Sequence, residues 1–136
     1  MVPDAVFGLR YTNNSKRKWR TVYFFVEADR GSMPVVRSNL QQTSFYKKMI
    51  GYWKAKNQGT FKHRFNFPNV RVLTITTSPV RIEHMIEANK KVDERRKGSR
   101  LFYFAPADIF TLEDPDNIFK PVWQNGRGDD SMSLIG

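Results

Sequence analysis

Hydrophobic and polar positions along this chain follow two periods, and the switches between them mark out the elements. Residues 5–11, AVFGLRY, read as a short strand, and the polar TNNSKRK at 12–18 as a turn. Residues 19–28, WRTVYFFVEA, are β-branched and aromatic and give a second strand, so the short spacing predicts an antiparallel hairpin. Asp29 to Pro34 is loop chemistry. Phe45, Met49, Tyr52 and Trp53 recur at i, i+4, i+7 and i+8, with Ala55 extending the face and Lys47, Lys48, Lys54 and Lys56 around it. That spacing predicts a helix over 39–56. Residues 57–69, with Lys62, His63 and Arg64, read as a loop. VRVLTITT at 70–77 has the near-continuous β-formers of a buried parallel strand. Ser78 and Pro79 then supply an N-cap and a first-turn proline. The helix they open runs to about Arg96, with Val80, Ile82, Met85, Ile86 and Val92 on one side, and stops at Lys97-Gly98. RLFYFA at 100–105 gives a fourth strand, Pro106 to Phe110 a short helix, and the remainder reads as loop.

The order β, β, α, β, α, β contains two crossovers, and these imply parallel strands with right-handed connections. The fold class expected is α/β: a mixed central sheet of about four strands flanked by helices on at least one face.

The length of 136 residues predicts one domain, and 40% hydrophobic content excludes a disordered chain. There is no cysteine, which removes disulfides, thiol catalysis and Cys-based zinc sites. Two histidines leave little for a His-rich metal site, and no Gly-rich phosphate loop is present. No run is long and apolar enough to span a membrane, and no secretory signal is visible, so a cytoplasmic location with no membrane partner is expected.

Charge sharpens this picture. The net charge is +10, which points to an anionic partner, most often nucleic acid. Residues 101–136 carry two basic and six acidic side chains, so residues 1–100 hold 21 basic against 7 acidic. Four of those seven acids lie on the helix opened by Pro79, where Lys and Arg partners explain them. Asp4, Glu27 and Asp29 remain as isolated carboxylates in a basic region. Asp4 starts one hairpin strand and Glu27 and Asp29 end the other, so all three can converge at one sheet end. Carboxylates packed together repel unless a cation is present, and hard oxygen ligands suit Mg²⁺ or Mn²⁺. Such ions drive phosphodiester hydrolysis.

These residues carry a resemblance. Pro3-Asp4, then Glu27-Ala28-Asp29, then a helix, resembles the PD-(D/E)XK core of restriction-endonuclease-like proteins. Val2-Pro3-Asp4-Ala5 with the stretch from Phe25 to Pro34 is similar to the replication-relaxation family of plasmids and mobile elements. So are the stretches Phe45 to Tyr52 and Val70 to Ser78, Val122-Trp123, and Ser133 to Ile135. The resemblance implies a nuclease-like domain spanning 1–136, as the C-terminal part of a longer protein with an N-terminal winged helix. It implies DNA as partner, with replication or transfer proteins beside it, and a role in plasmid replication and DNA relaxation. It further implies Asp4, Glu27 and Asp29 as ligands of Mg²⁺ or Mn²⁺ in a metal-dependent endodeoxyribonuclease.

The pattern departs from that family at one position: Asp29 stands where the nuclease core has its lysine. Lys47 or Lys48 on the following helix would supply a migrated lysine, and we assign Lys47 the catalytic role and Lys48 a DNA contact. Arg30 cannot act as a base. Gln42-x-x-x-Tyr46 resembles a DNA-contacting helix motif. With Arg17, Lys18, Arg20, Arg30 and Arg37, these residues form the expected DNA-binding set. The plainer readings are a turn or cap for Asp4, salt bridges to Arg30, Arg37 or nearby Lys for Glu27 and Asp29, and a solvated helix face for the lysines. Three functions stay open: a cutting enzyme, a nuclease-like module that binds DNA or a replication protein without cutting, and a protein–protein module whose acidic tail, 101–136, docks on a basic partner or on the basic half of another copy.

Overall fold

The computed structural model describes residues 3–13, 18–31, 35, 44–67, 69–92, 95–110 and 113–134. The strands are β1 (Ala5–Asn13), β2 (Lys18–Ala28), β3 (Val70–Thr76), β4 (Phe102–Pro106) and β5 (Gln124–Asn125). The helices are α1 (Phe45–Asn57), α2 (Thr60–Phe65) and α3 (Pro79–Asn89). The sheet order is β1-β2-β3-β4-β5. β1 and β2 form the expected antiparallel hairpin, β2–β3 and β3–β4 are parallel, and β4–β5 is antiparallel. The chain is therefore α/β with a mixed sheet of five strands.

Strand alternation sorts the side chains into two cores. Phe25, Val70, Val72, Phe102 and Phe104 face the helices and meet Phe45, Met49 and Tyr52 of α1, Phe61 of α2, and Ile82 and Met85 of α3. Val22, Phe24, Leu73 and Ala105 face the other way and meet Trp123 and Leu134. Both faces of the parallel strands are thus covered, which explains why β3 reads as a nearly unbroken apolar run.

Local chemistry sets the helix bounds. Ser44 caps α1 by accepting from the Lys47 amide at 3.1 Å, and Lys54 and Lys56 sit in the last turn, where cations suit the helix dipole. The helix predicted from residue 39 thus begins at Phe45, and residues 39–43 lie outside those described. Ser78 caps α3 as expected, accepting from the Arg81 amide at 3.2 Å. α3 stops at Asn89 rather than near Arg96. Beyond Asn89 only Val92 carries the apolar periodicity, and Arg96 and Gly98 take positive φ of 56° and 83° to turn the chain toward β4. Asn89 is fully buried, and its Oδ1 accepts from the Ser99 amide at 2.8 Å. A Cβ on Gly126 would lie 2.2 Å from that same oxygen, so this seam admits only glycine. Val80, grouped above with the apolar side of α3, is 60% exposed.

Two parts of the chain differ from the sequence expectation. The stretch 57–69, read as loop, contains α2, which buries only Phe61. The acidic tail is a covering layer, not a loop: Phe110, Ile118, Val122, Trp123 and Met132 pack on the second face of the sheet. The Trp123 indole donates to the Ile118 carbonyl at 3.0 Å, and the Tyr11 hydroxyl donates to the Leu134 carbonyl. The expected short helix at 106–110 is a 3₁₀ turn at Ala107–Ile109.

Among the described residues, Trp123 is the largest fully buried side chain. Trp123→Ala should cost about 3–5 kcal/mol, the usual range for such truncations, read as a lower urea midpoint. An unchanged midpoint would mean that the tail does not seal this face.

Candidate functional site at the ends of the parallel strands

The three singled-out carboxylates lie where β1 begins and β2 ends. The Asp4 amide donates to the Val26 carbonyl at 3.0 Å, and its Oδ2 accepts from the Ala28 amide at 2.8 Å. Asp4 therefore clips the open end of the hairpin. Ala5 pairs with Val26, so the register carried one step further sets Asp4 opposite Glu27.

Glu27 is buried at 6% exposure on the helix face. A carboxylate there must be compensated, because burial of an unpaired charge is costly. Helix α1 supplies the compensation from two residues one turn apart. The Tyr52 hydroxyl donates to Glu27 Oε1 at 2.6 Å, and the Lys48 ammonium stands 3.6 Å from Oε2. Burial, then the bond and charge of Glu27, then the charge of Asp4, push the Tyr52 phenol far above its ordinary value of 10.0. Tyr52 is thus a fixed donor at working pH, and the charge of Asp4 also acts on it. Thr74 pairs with Glu27 across β2–β3. Its hydroxyl is fully buried and has no hydrogen-bond partner among the described residues.

Asp29 has different surroundings. Arg81 grips it with two bonds, Nε to Oδ2 at 2.5 Å and a terminal nitrogen to Oδ1 at 3.0 Å. The Thr76 hydroxyl adds a bond to Oδ2 at 2.6 Å. Burial alone would raise the Asp29 carboxyl, but the bonds from Arg81 and Thr76, the Arg81 charge and the Gly31 amide together hold it below its ordinary 3.8. A bidentate arginine pair of this kind is strong and directional.

The three carboxylates therefore have separate partners. Asp4 clips the hairpin end opposite Glu27, Glu27 is held by α1, and Asp29 is a strut that ties β2 to the first turn of α3. Among the described residues no group of three or more His, Asp or Glu has metal-holding geometry. Of the two lysines singled out, Lys48 is the one that stands near Glu27. The amide of Lys47 serves the Ser44 cap, and its side chain is exposed. Tyr46 packs against the core, and its hydroxyl donates to the Lys91 carbonyl at 3.4 Å. Arg30 is exposed beside Asp29. Arg17, Arg37 and Gln42 lie outside the described residues, as do the side chains of Lys18 and Arg20.

Sequence reasoning missed Tyr52, Thr74, Thr76 and Arg81 as site residues. Two signals pointed to them. Tyr52 follows Lys48 at i+4, so a residue served by one is within reach of the other. Arg81 lies in the first turn of α3, which holds no acid, where a cation works against the helix dipole. A cation in that position needs a carboxylate partner, and Asp29 is it.

No protein-family model, curated protein or solved structure matches this chain.

Asp29→Asn should destabilise the fold by about 2–4 kcal/mol in denaturant titration, since it strands Arg81. Because the folded carboxyl is depressed, its contribution is complete above the ordinary value of 3.8 and is lost as pH falls through the lowered one. The destabilisation by Asp29→Asn should therefore shrink in acid, and a constant difference down to the lowest pH would contradict the pairing. Tyr52→Phe should cost about 1.5–3 kcal/mol, the range for a hydrogen bond to a charged group.

Proposed function

We propose that this chain is a restriction-endonuclease-like DNA-binding module of plasmid or mobile-element replication and relaxation, with Asp4, Glu27 and Lys48 as its phosphodiester-cleaving centre. The observation that carries this reading is the Lys48 ammonium standing 3.6 Å from a buried glutamate beside the strand end that bears Asp4. Two acids and one lysine are then assembled, with the lysine arriving from α1 instead of the position held by Asp29. The hairpin followed by a crossover helix to a parallel strand also accords with a nuclease-like core.

The donor set suits a hard divalent ion only in part. Asp4 and Glu27 offer carboxylate oxygens, and the unpartnered hydroxyl of Thr74 lies across from Glu27. Mg²⁺ is commonly held by one or two carboxylates and keeps several waters. Asp29 does not fit, because Arg81 and Thr76 occupy its oxygens. Mg²⁺ or Mn²⁺ held by Asp4 and Glu27 would supply charge neutralisation at the phosphate and an acidified water. Tyr52 keeps Glu27 oriented. The Lys48 side chain is 41% exposed, so its ammonium is open to an incoming phosphate.

Supercoiled plasmid should be nicked with Mg²⁺ or Mn²⁺ present. Glu27→Gln and Lys48→Met should each lower the rate about a hundredfold or more, the scale seen on removing one transition-state contact. Asp29→Asn should retain nicking at temperatures where it stays folded. The capture of Asp29 by Arg81 at the usual lysine position favours a second reading, an accessory module that binds without cutting. On that reading, intact plasmid across both metals would accompany salt-dependent DNA binding that survives Glu27→Gln.

A further inference from the structure

Two grooves lie side by side at α2. One has a volume of about 370 Å³ and is almost wholly apolar, lined by Val6, Tyr52, Phe61, Phe65 and Phe67 with Arg64. That volume lies within the range of small-ligand clefts, roughly 300–1,000 Å³. The other, of about 300 Å³, brings together Lys56, Lys62 and Arg71, and no carboxylate lines it. Phe61 and Phe67 line both grooves and form the ridge between them. The first groove reaches Tyr52, whose hydroxyl holds Glu27.

The aromatic rings here are arranged as a stack. Tyr23 lies against Phe67 at 3.8 Å between centroids and 14° between planes, and Phe67 against Phe65 at 5.7 Å and 26°. Phe65, at the end of the stack, is 50% exposed, and the Arg64 guanidinium lies 5.9 Å from its ring centroid. Val6 at the groove mouth is 48% exposed. Such exposure is costly for residues that only build a core, and it places a ready aromatic surface in water.

The charge along the chain around α2 has one sign. Residues 30–82 contain ten Lys and Arg and no Asp or Glu. In the second groove the cations crowd one another: burial first, and then the Arg71 charge, hold the Lys56 ammonium below its ordinary value. Like charges gathered without a carboxylate are stabilised by an anion. Aromatic platforms beside a basic track are the means by which proteins hold single-stranded nucleic acid, because every base has a face to stack.

We propose that the α2 ridge is a single-strand binding site, in which an unpaired base stacks on Phe65 in the apolar groove and Lys56, Lys62 and Arg71 neutralise the adjoining backbone. This deepens the DNA-binding reading above and rests on it. It makes the preferred substrate a single-stranded or locally opened segment, delivered along the groove toward Glu27.

The test is fluorescence anisotropy of the whole chain with a labelled oligothymidine and with a duplex of equal length, over a salt series. The single strand should bind more tightly than the duplex. Phe65→Ala should weaken single-strand binding on the order of tenfold with little change in its salt slope. Lys62→Ala should lower that slope by about 0.7, one phosphate's worth for a single strand. Both side chains are exposed, and thermal melts should show both variants folded. Equal affinity for the two DNA forms, or an unchanged affinity in folded Phe65→Ala, overturns the single-strand site and leaves general DNA binding standing. Absence of binding to either form overturns both readings. If Phe65→Ala instead abolishes self-association in sedimentation and leaves DNA affinity unchanged, the groove is a contact between copies and the proposal falls.

Discussion

The structure depends on how two parallel strands end. β2 and β3 are apolar through their middles, but on the helix face their last turns carry Glu27, Thr74, Asp29 and Thr76. A sheet covered by helices cannot bury carboxylates there without partners, since each would lose its hydration. Each crossover helix answers one of them. α1 brings Lys48 and Tyr52 to Glu27, and α3 brings Arg81 to Asp29. The two acids thus fix where both helices sit on the sheet, and the apolar contacts of Met49, Tyr52, Ile82 and Met85 fill in beneath that placement.

This arrangement separates two roles that proximity in sequence had merged. Asp29 has both oxygens engaged and its carboxyl held below the ordinary range, so it is a fixed, ionised strut. Glu27 has one strong bond from Tyr52 and a longer contact to a lysine that reaches solvent. Lys48 is the looser partner of the two. Residues two apart on one strand therefore differ in availability because different helices serve them.

Much of the fold was legible in the chain. The hairpin, both crossovers, the Ser78-Pro79 helix start and the apolar β3 follow from local periodicity and capping, which tertiary contacts here reinforce. The tail was not legible, because Pro, Asp and Gly interrupt it and its apolar residues follow neither strand nor helix period. Trp123, Met132 and Leu134 are spaced to fit an existing sheet surface, a template that the tail's own text does not contain. The two-residue β5 is likewise fixed by its pairing with Tyr103 and Phe104, not by propensity. At the site, the acids were visible as exceptions to the charge pattern. Lys48 was singled out as well, but Arg81 was not, since its pairing with Asp29 spans 52 positions and depends on how α3 lies on the sheet.

Charge and exposure at Lys48 couple the site to the rest of the molecule. Its ammonium neutralises Glu27 from the solvent side, and an anion approaching from that side would compete with the carboxylate for the same cation. Glu27 would then keep the Tyr52 bond but lose its nearest counter-charge, which raises the demand for a replacement cation close to its free oxygen. Asp4, one strand over, is exposed and adds negative charge to that demand. On the reading proposed above, a phosphate and a divalent ion entering together would satisfy both halves of this exchange, the phosphate at Lys48 and the ion at Glu27 and Asp4. Either alone leaves one charge uncompensated in a partly buried setting.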